Sequence, residues 1–141
     1  MGITSRVWVL ERHAETLAMW AEILVFDGYS AVLFESPDAL LGHSGEAPDV
    51  TIVDAWTARS SESSLLARLS RDHVIVTSTT RVLALSWHRL GAARVYLKPI
   101  SIEQIRADLR DLAECPGPAS RTVRCQPGSA DDFVETHKGG R

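Results

Sequence analysis

Short apolar runs, too brief for helices and rich in β-branched and aromatic residues, recur along this chain at intervals filled by helical periodicity. Arg6 to Leu10, residues 29–34, the run that begins at Asp49 after Pro48 and stops on Asp54, residues 73–77 and Arg94 to Leu97 each predict a strand, the first apolar enough to be central and the third reading as buried. Between the first two, Met19, Trp20, Ile23 and Leu24 fall on one helical stripe with Glu15 and Glu22 away from it. That spacing predicts a helix over residues 14–27, stopped by Gly28. Ser36-Pro37-Asp38 supplies an N-cap, a first-turn proline and an acid for a short helix ending near Leu41. Leu65, Leu66 and Leu69 mark a helix that starts near Ser63, after a polar loop over residues 57–64. Leu83, Trp87 and Leu90 mark the next, over residues 82–90 and closed by Gly91. Ser101-Ile102-Glu103-Gln104 has the capping-box form and opens a last helix through Ile105, Leu109 and Leu112.

Strand and helix thus alternate five times, which requires a parallel sheet with right-handed crossovers and helices on both faces. The expected fold is α/β, a doubly wound, flavodoxin-like five-stranded domain over residues 4–113. Residues 114–141 are rich in Pro and Gly and lack periodicity, so they are expected to form a flexible tail or a truncated linker. Trp8 and Trp20 are assigned to the core. Trp87 fits either the core or a partner-binding face.

Composition narrows the function. Among 141 residues, 45% are hydrophobic and the net charge is -3, so a full core is expected and no basic surface advertises nucleic acid. The start of the chain lacks a leader pattern and no apolar run is long enough to span a bilayer, giving a cytoplasmic expectation without membrane contact. Cys115 and Cys125 have no neighbouring Cys or His pair and read as free thiols.

Chemistry is concentrated at the strand ends. Parallel strands bring their C-terminal ends to one edge, where Glu11 and Arg12, Asp54, Ser78 and Lys98 should converge. Asp54 ends an apolar run on a carboxylate and is the candidate centre, although aspartate at such a place also starts turns.

This ordered set resembles the receiver domains of bacterial response regulators, over about Arg6 to Leu112. The resemblance rests on the acidic end of the first strand, Asp54, Ser78 and Lys98-Pro99. It implies a signalling module in a two-component phosphorelay, not an enzyme beyond self-phosphorylation and dephosphorylation, with a sensor histidine kinase or another signalling protein as partner. Asp54 would be the phosphoacceptor, Ser78 and Lys98 would contact the phosphoryl group, and Pro99 is the candidate for a cis peptide. The Mg²⁺ that assists such transfer would use Glu11, Asp54 and the backbone carbonyl of Trp56. Self-association is implied through the face spanning residues 82–112, between Val82 and Leu112, with His88, Tyr96 and Arg110 as contributors.

Several positions depart from the family pattern. Arg12 stands where a second acid would ligate the metal, and a guanidinium offers only donors and a charge that repels Mg²⁺. The expectation is that Arg12 pairs with Asp54 or Glu11 and neutralises the site in place of the ion. The segment after Asp54 lacks Pro-Gly, Trp56 brings a bulky ring to the pocket, and the chain between Ser78 and Gly91 is about two residues short by rough alignment. Val95 occupies the place of a switch aromatic, and Tyr96, one residue on, faces the opposite side of its strand. An atypical receiver acting through protein docking is therefore weighed above a conventional phosphorylation switch. A flavin- or nucleotide-binding protein is the reading from another class, but Glu11-Arg12-His13-Ala14-Glu15 lacks the glycines of a phosphate cradle. No G-x-S-x-G occurs, and the histidines show no triad or metal pairing.

Overall fold

A computed structural model describes residues 4–114. The expectations for residues 114–141 as a tail and for Cys115 and Cys125 concern positions that, beyond Glu114, lie outside the described residues. Strand β1 (Arg6–Leu10), helix α1 (Ala14–Phe26), β2 (Ser30–Phe34), α2 (Pro37–Leu41), β3 (Val50–Asp54), α3 (Glu62–Arg68), β4 (Val74–Ser78), α4 (Arg81–Arg89), β5 (Arg94–Leu97) and α5 (Ile102–Ala113) follow in order. All strand pairs are parallel and the sheet order is β2-β1-β3-β4-β5. The order reverses between β1 and β3, which leaves a crevice beyond their C-terminal ends.

Alternation along each strand sorts side chains onto two faces. Val7, Val9, Ile52 and Ile75 pack with Leu17, Trp20 and Leu24 of α1 and Ile105, Leu109 and Leu112 of α5. Trp8, Leu10, Val53, Val74 and Val76 pack against α2, α3 and α4, together with Trp87 and Val95. Trp87 is fully buried, which assigns it to the core and removes it from any partner face. Val95 and Tyr96 belong to opposite cores, so Tyr96 does not stand in for the residue before it.

Local chemistry sets the helix starts. The hydroxyls of Ser36, Thr80 and Ser101 accept hydrogen bonds from the backbone N–H groups of Ala39, Leu83 and Gln104, satisfying donors that the first helical turn leaves free. Gly28 ends α1 with a φ of 90°, a left-handed conformation that favours glycine. Details differ from the pattern-based expectation, and several element boundaries move by one residue. The stripe of α1 centres on Leu17, Trp20 and Leu24, and Met19 turns partly outward, because 100° per residue carries it off that line. His73 lies in a single 3-10 turn before β4, so that strand begins one residue later.

Ion pairs tie α5 into place. Arg94 of β5 meets Asp108 and Asp111 at 3.4 and 3.1 Å, and Arg106 grips the carboxylate of Asp27 with two bonds of 2.8 and 2.7 Å. Among the described residues no helix is long and apolar enough to cross a membrane.

Candidate functional site

The crevice at the strand switch point is flanked by the two carboxylates that the sequence places there. Glu11 follows β1 directly and is held by its N–H bonding the Phe34 carbonyl at 3.0 Å, while Asp54 is the last residue of the neighbouring β3. Both are buried, at 1% and 5% exposure. Lys98 arrives from beyond β4. Its N–H donates to the Ser78 carbonyl at 2.7 Å, extending the β4–β5 ladder by one bond and fixing Lys98 at the C-terminal edge of the sheet. The Lys98 ammonium then donates to Asp54 Oδ1 at 2.9 Å and sits 3.6 Å from Glu11 Oε1. The Lys98–Pro99 peptide is cis.

A residue that the sequence reading passed over completes this centre. Thr57, assigned to a polar loop, is buried and donates to Asp54 Oδ2 twice, from its backbone N–H at 2.9 Å and from its hydroxyl at 2.7 Å. The Ala58 N–H also bonds the Asp54 carbonyl at 3.1 Å, so the segment after β3 winds into a helical turn. Asp54 therefore starts a turn as well as ending a strand. The D-x-x-T spacing was the available signal, since short polar side chains commonly bond backbone a few residues away.

Electrostatics follow from these contacts. Burial by itself raises the pKa of Asp54, but the hydrogen bonds from Lys98 and Thr57 and the Lys98 charge outweigh it, and the net shift is downward from 3.8. The carboxylate is ionised at neutral pH. An oxygen of this kind offers two lone-pair directions. Both on Oδ2 are occupied by Thr57, and one on Oδ1 is occupied by Lys98. A nucleophilic attack from Oδ2 would first have to break two charge-assisted bonds.

Other expected participants are turned elsewhere. Arg12 forms no ion pair with Asp54 or Glu11, which corrects the expectation that it neutralises the site; Lys98 does so. The Arg12 backbone N–H donates to the Thr57 hydroxyl oxygen at 3.1 Å, and its guanidinium lies 5.7 Å from the centre of the exposed Trp56 ring. Reaching the crevice would bury a cation beside Lys98, whereas the indole face receives it at the surface. Ser78 is fully buried, yet its hydroxyl donates to the Thr80 carbonyl at 2.7 Å and accepts from the Thr80 N–H at 3.1 Å. The hydroxyl closes its own turn and makes no hydrogen bond to the side chain of Asp54 or Lys98.

The three oxygen sources expected for Mg²⁺ fit the ion poorly. Asp54 is engaged by Lys98 and Thr57. Glu11 Oε2 accepts from the His13 N–H at 3.2 Å, with the Lys98 ammonium beside its other oxygen. The Trp56 carbonyl accepts from Arg59, through its N–H at 3.3 Å and its guanidinium at 3.1 Å. A small ion that demands near-octahedral oxygen would have to displace these donors in the presence of a fixed ammonium. Among the described residues, no group of three or more His, Cys, Asp or Glu could hold a metal.

No family model matches the chain, and no curated protein matches it. Solved structures do. Full-length FixJ from B. japonicum superimposes with a TM-score of 0.68 at 20% identity, covering 85% of this chain and 63% of that one, so the chain spans less than two thirds of FixJ. The non-phosphorylated HemR receiver domain from Leptospira biflexa gives 0.68 at 16% identity, over 82% of this chain and 98% of that domain. A Burkholderia pseudomallei response regulator, solved with a phosphorylated aspartic acid, calcium ion and citrate, gives 0.67 at 17% identity, over 97% and 75%. The chain has the fold of response-regulator receiver domains.

Proposed function

We propose that this chain is an atypical receiver module of two-component signalling, in which Asp54 is locked internally and output runs through metal-independent protein docking. One observation carries the reading: both oxygens of Asp54 already hold protein donors, Lys98 on one at 2.9 Å and Thr57 on the other at 2.9 and 2.7 Å. The Lys98 ammonium supplies from within the chain the positive charge that a divalent ion would otherwise bring, and Thr57 fills the other oxygen with hydrogen bonds. Arg12 in place of an acid, and Arg59 on the Trp56 carbonyl, weaken the metal site further. The natural partner is a sensor histidine kinase or another signalling protein, in the cytoplasm.

A conventional phosphoacceptor switch is the second reading. It is favoured by the ionised Asp54 with Lys98 in contact, since a carboxylate nucleophile must be charged and a cation must meet the incoming oxygens. Self-association through residues 82–112 would accompany either reading, with the exposed Val82 available to it and Trp87 withdrawn. Incubation with Mg²⁺ and a small-molecule phosphodonor, followed by intact mass spectrometry, separates the two. The locked module gives no stable adduct. A phosphoryl adduct that disappears in Asp54→Ala would establish the switch instead.

A further inference from the structure

The rim of the crevice holds a grouping that the locked centre does not use. Trp56 is 40% exposed, Arg59 stacks with its guanidinium carbon 3.7 Å from the ring centre, and that of Arg12 lies at 5.7 Å. Two like charges are gathered on one indole, although each would be better solvated apart. Neither guanidinium forms an ion pair among the described residues, and unlike Arg68 and Arg71, which also lack one but reach backbone carbonyls distant in the chain, they stay gathered on one exposed ring. Arg59 uses one donor, on the Trp56 carbonyl, and the Arg12 guanidinium makes no hydrogen bond among the described residues. The pair is thus charged, positioned by the ring, and rich in open donors.

We propose that Arg12, Trp56 and Arg59 form a receptor for an acidic segment of a protein partner. Guanidinium forks match carboxylate geometry with two parallel hydrogen bonds, and holding each fork against an indole restricts it before binding. The indole decides between a protein and a free anion. An inorganic ion gains nothing from exposed apolar ring surface, whereas protein interfaces draw much of their energy from Trp and Arg together. The net charge of -3 disfavours a nucleic acid strand, for which this rim would be an isolated basic spot. This inference rests on the docking reading above and names the chemistry of the partner.

Because Trp8, Trp20 and Trp87 are buried, Trp56 fluorescence reports on the rim. The full chain is titrated in EDTA with a hexaglutamate peptide, a hexaglutamine peptide, inorganic phosphate and a short oligothymidylate. Hexaglutamate should give a saturable change that weakens with salt, is absent in Trp56→Phe, and falls at least about tenfold in affinity in Arg12→Gln/Arg59→Gln. Circular dichroism on the same variants establishes that they are folded. Binding that survives in the folded double variant, an equal response to hexaglutamine, or the absence of any saturable response overturns the proposal. So does tighter binding of phosphate or of the oligonucleotide. Failure here, with no phosphoryl adduct by mass spectrometry, removes the receptor and leaves the locked module; a phosphoryl adduct on Asp54 removes the locked module whatever the titration gives.

Discussion

Replacing Thr57 with valine removes a single hydroxyl from the centre while keeping side-chain volume and branching. The lost bond is 2.7 Å long, joins a buried threonine to a buried carboxylate, and is charge-assisted. Hydrogen bonds to charged groups contribute about 1.5–3 kcal/mol, and the remaining Thr57 N–H still satisfies Oδ2, so the expected cost is about 2 kcal/mol. The Arg12 N–H loses its acceptor too, but it lies at the rim where water can replace it. In a domain of this size the change corresponds to a fall of roughly 10 °C in Tm.

The same substitution has a pH signature. Asp54 has a folded pKa below its ordinary 3.8, so the stability it contributes is complete above that value and is lost as pH falls through the folded one. Removing the hydroxyl takes away one of the interactions that lower this pKa, so the folded value rises toward 3.8 and the acid loss, which sets in near the unfolded value in both proteins, is smaller in the variant. Once Asp54 is protonated in both proteins, the charge-assisted part of the difference disappears and the gap in stability narrows. Urea unfolding followed by far-ultraviolet circular dichroism, at steps from neutral pH down to about pH 3, measures this. Thr57→Ser, which keeps the hydroxyl, should stay much closer to the parent. A Thr57→Val protein as stable as the parent at neutral pH, or a gap that does not change with acidification, would refute the lock.

Two further outcomes bear on the same centre. Lys98→Met leaves Asp54 and Glu11 buried without their shared cation and should destabilise by about 3 kcal/mol, toward the low end for buried pairs because Lys98 is itself 27% exposed; Lys98→Met/Asp54→Asn should recover part of that in urea unfolding. Arg12→Asp removes a guanidinium from the rim and adds a carboxylate next to Glu11, so isothermal calorimetry should detect saturable Mg²⁺ binding in the variant and none in the parent. No gain in the variant would show that Lys98 and Thr57 alone are enough to keep the ion out.

The order of the elements and the edge of the sheet that carries the chemistry were legible in the sequence, because both follow from periodicity. Short apolar runs alternating with helical stripes specify a parallel wound sheet, and parallel strands leave no choice about where Glu11, Asp54 and Lys98 end up. Opposite facing of Val95 and Tyr96 follows from the same two-residue period. Which donors satisfy the buried carboxylate was decided only by the folded loops. Thr57 reaches Asp54 because the segment after β3 coils into a turn instead of running out as a polar loop, and the Ser78 hydroxyl serves its own turn before it can serve the crevice. Arg12 was expected to pair with a carboxylate, but its guanidinium lies beside the Trp56 ring at the surface while Lys98 holds the buried position next to Asp54. Strand pattern fixes where a Cα lies. Hydrogen-bond partners depend on side-chain torsions and on neighbours distant in the chain, and those exist only once the loops have closed around the site.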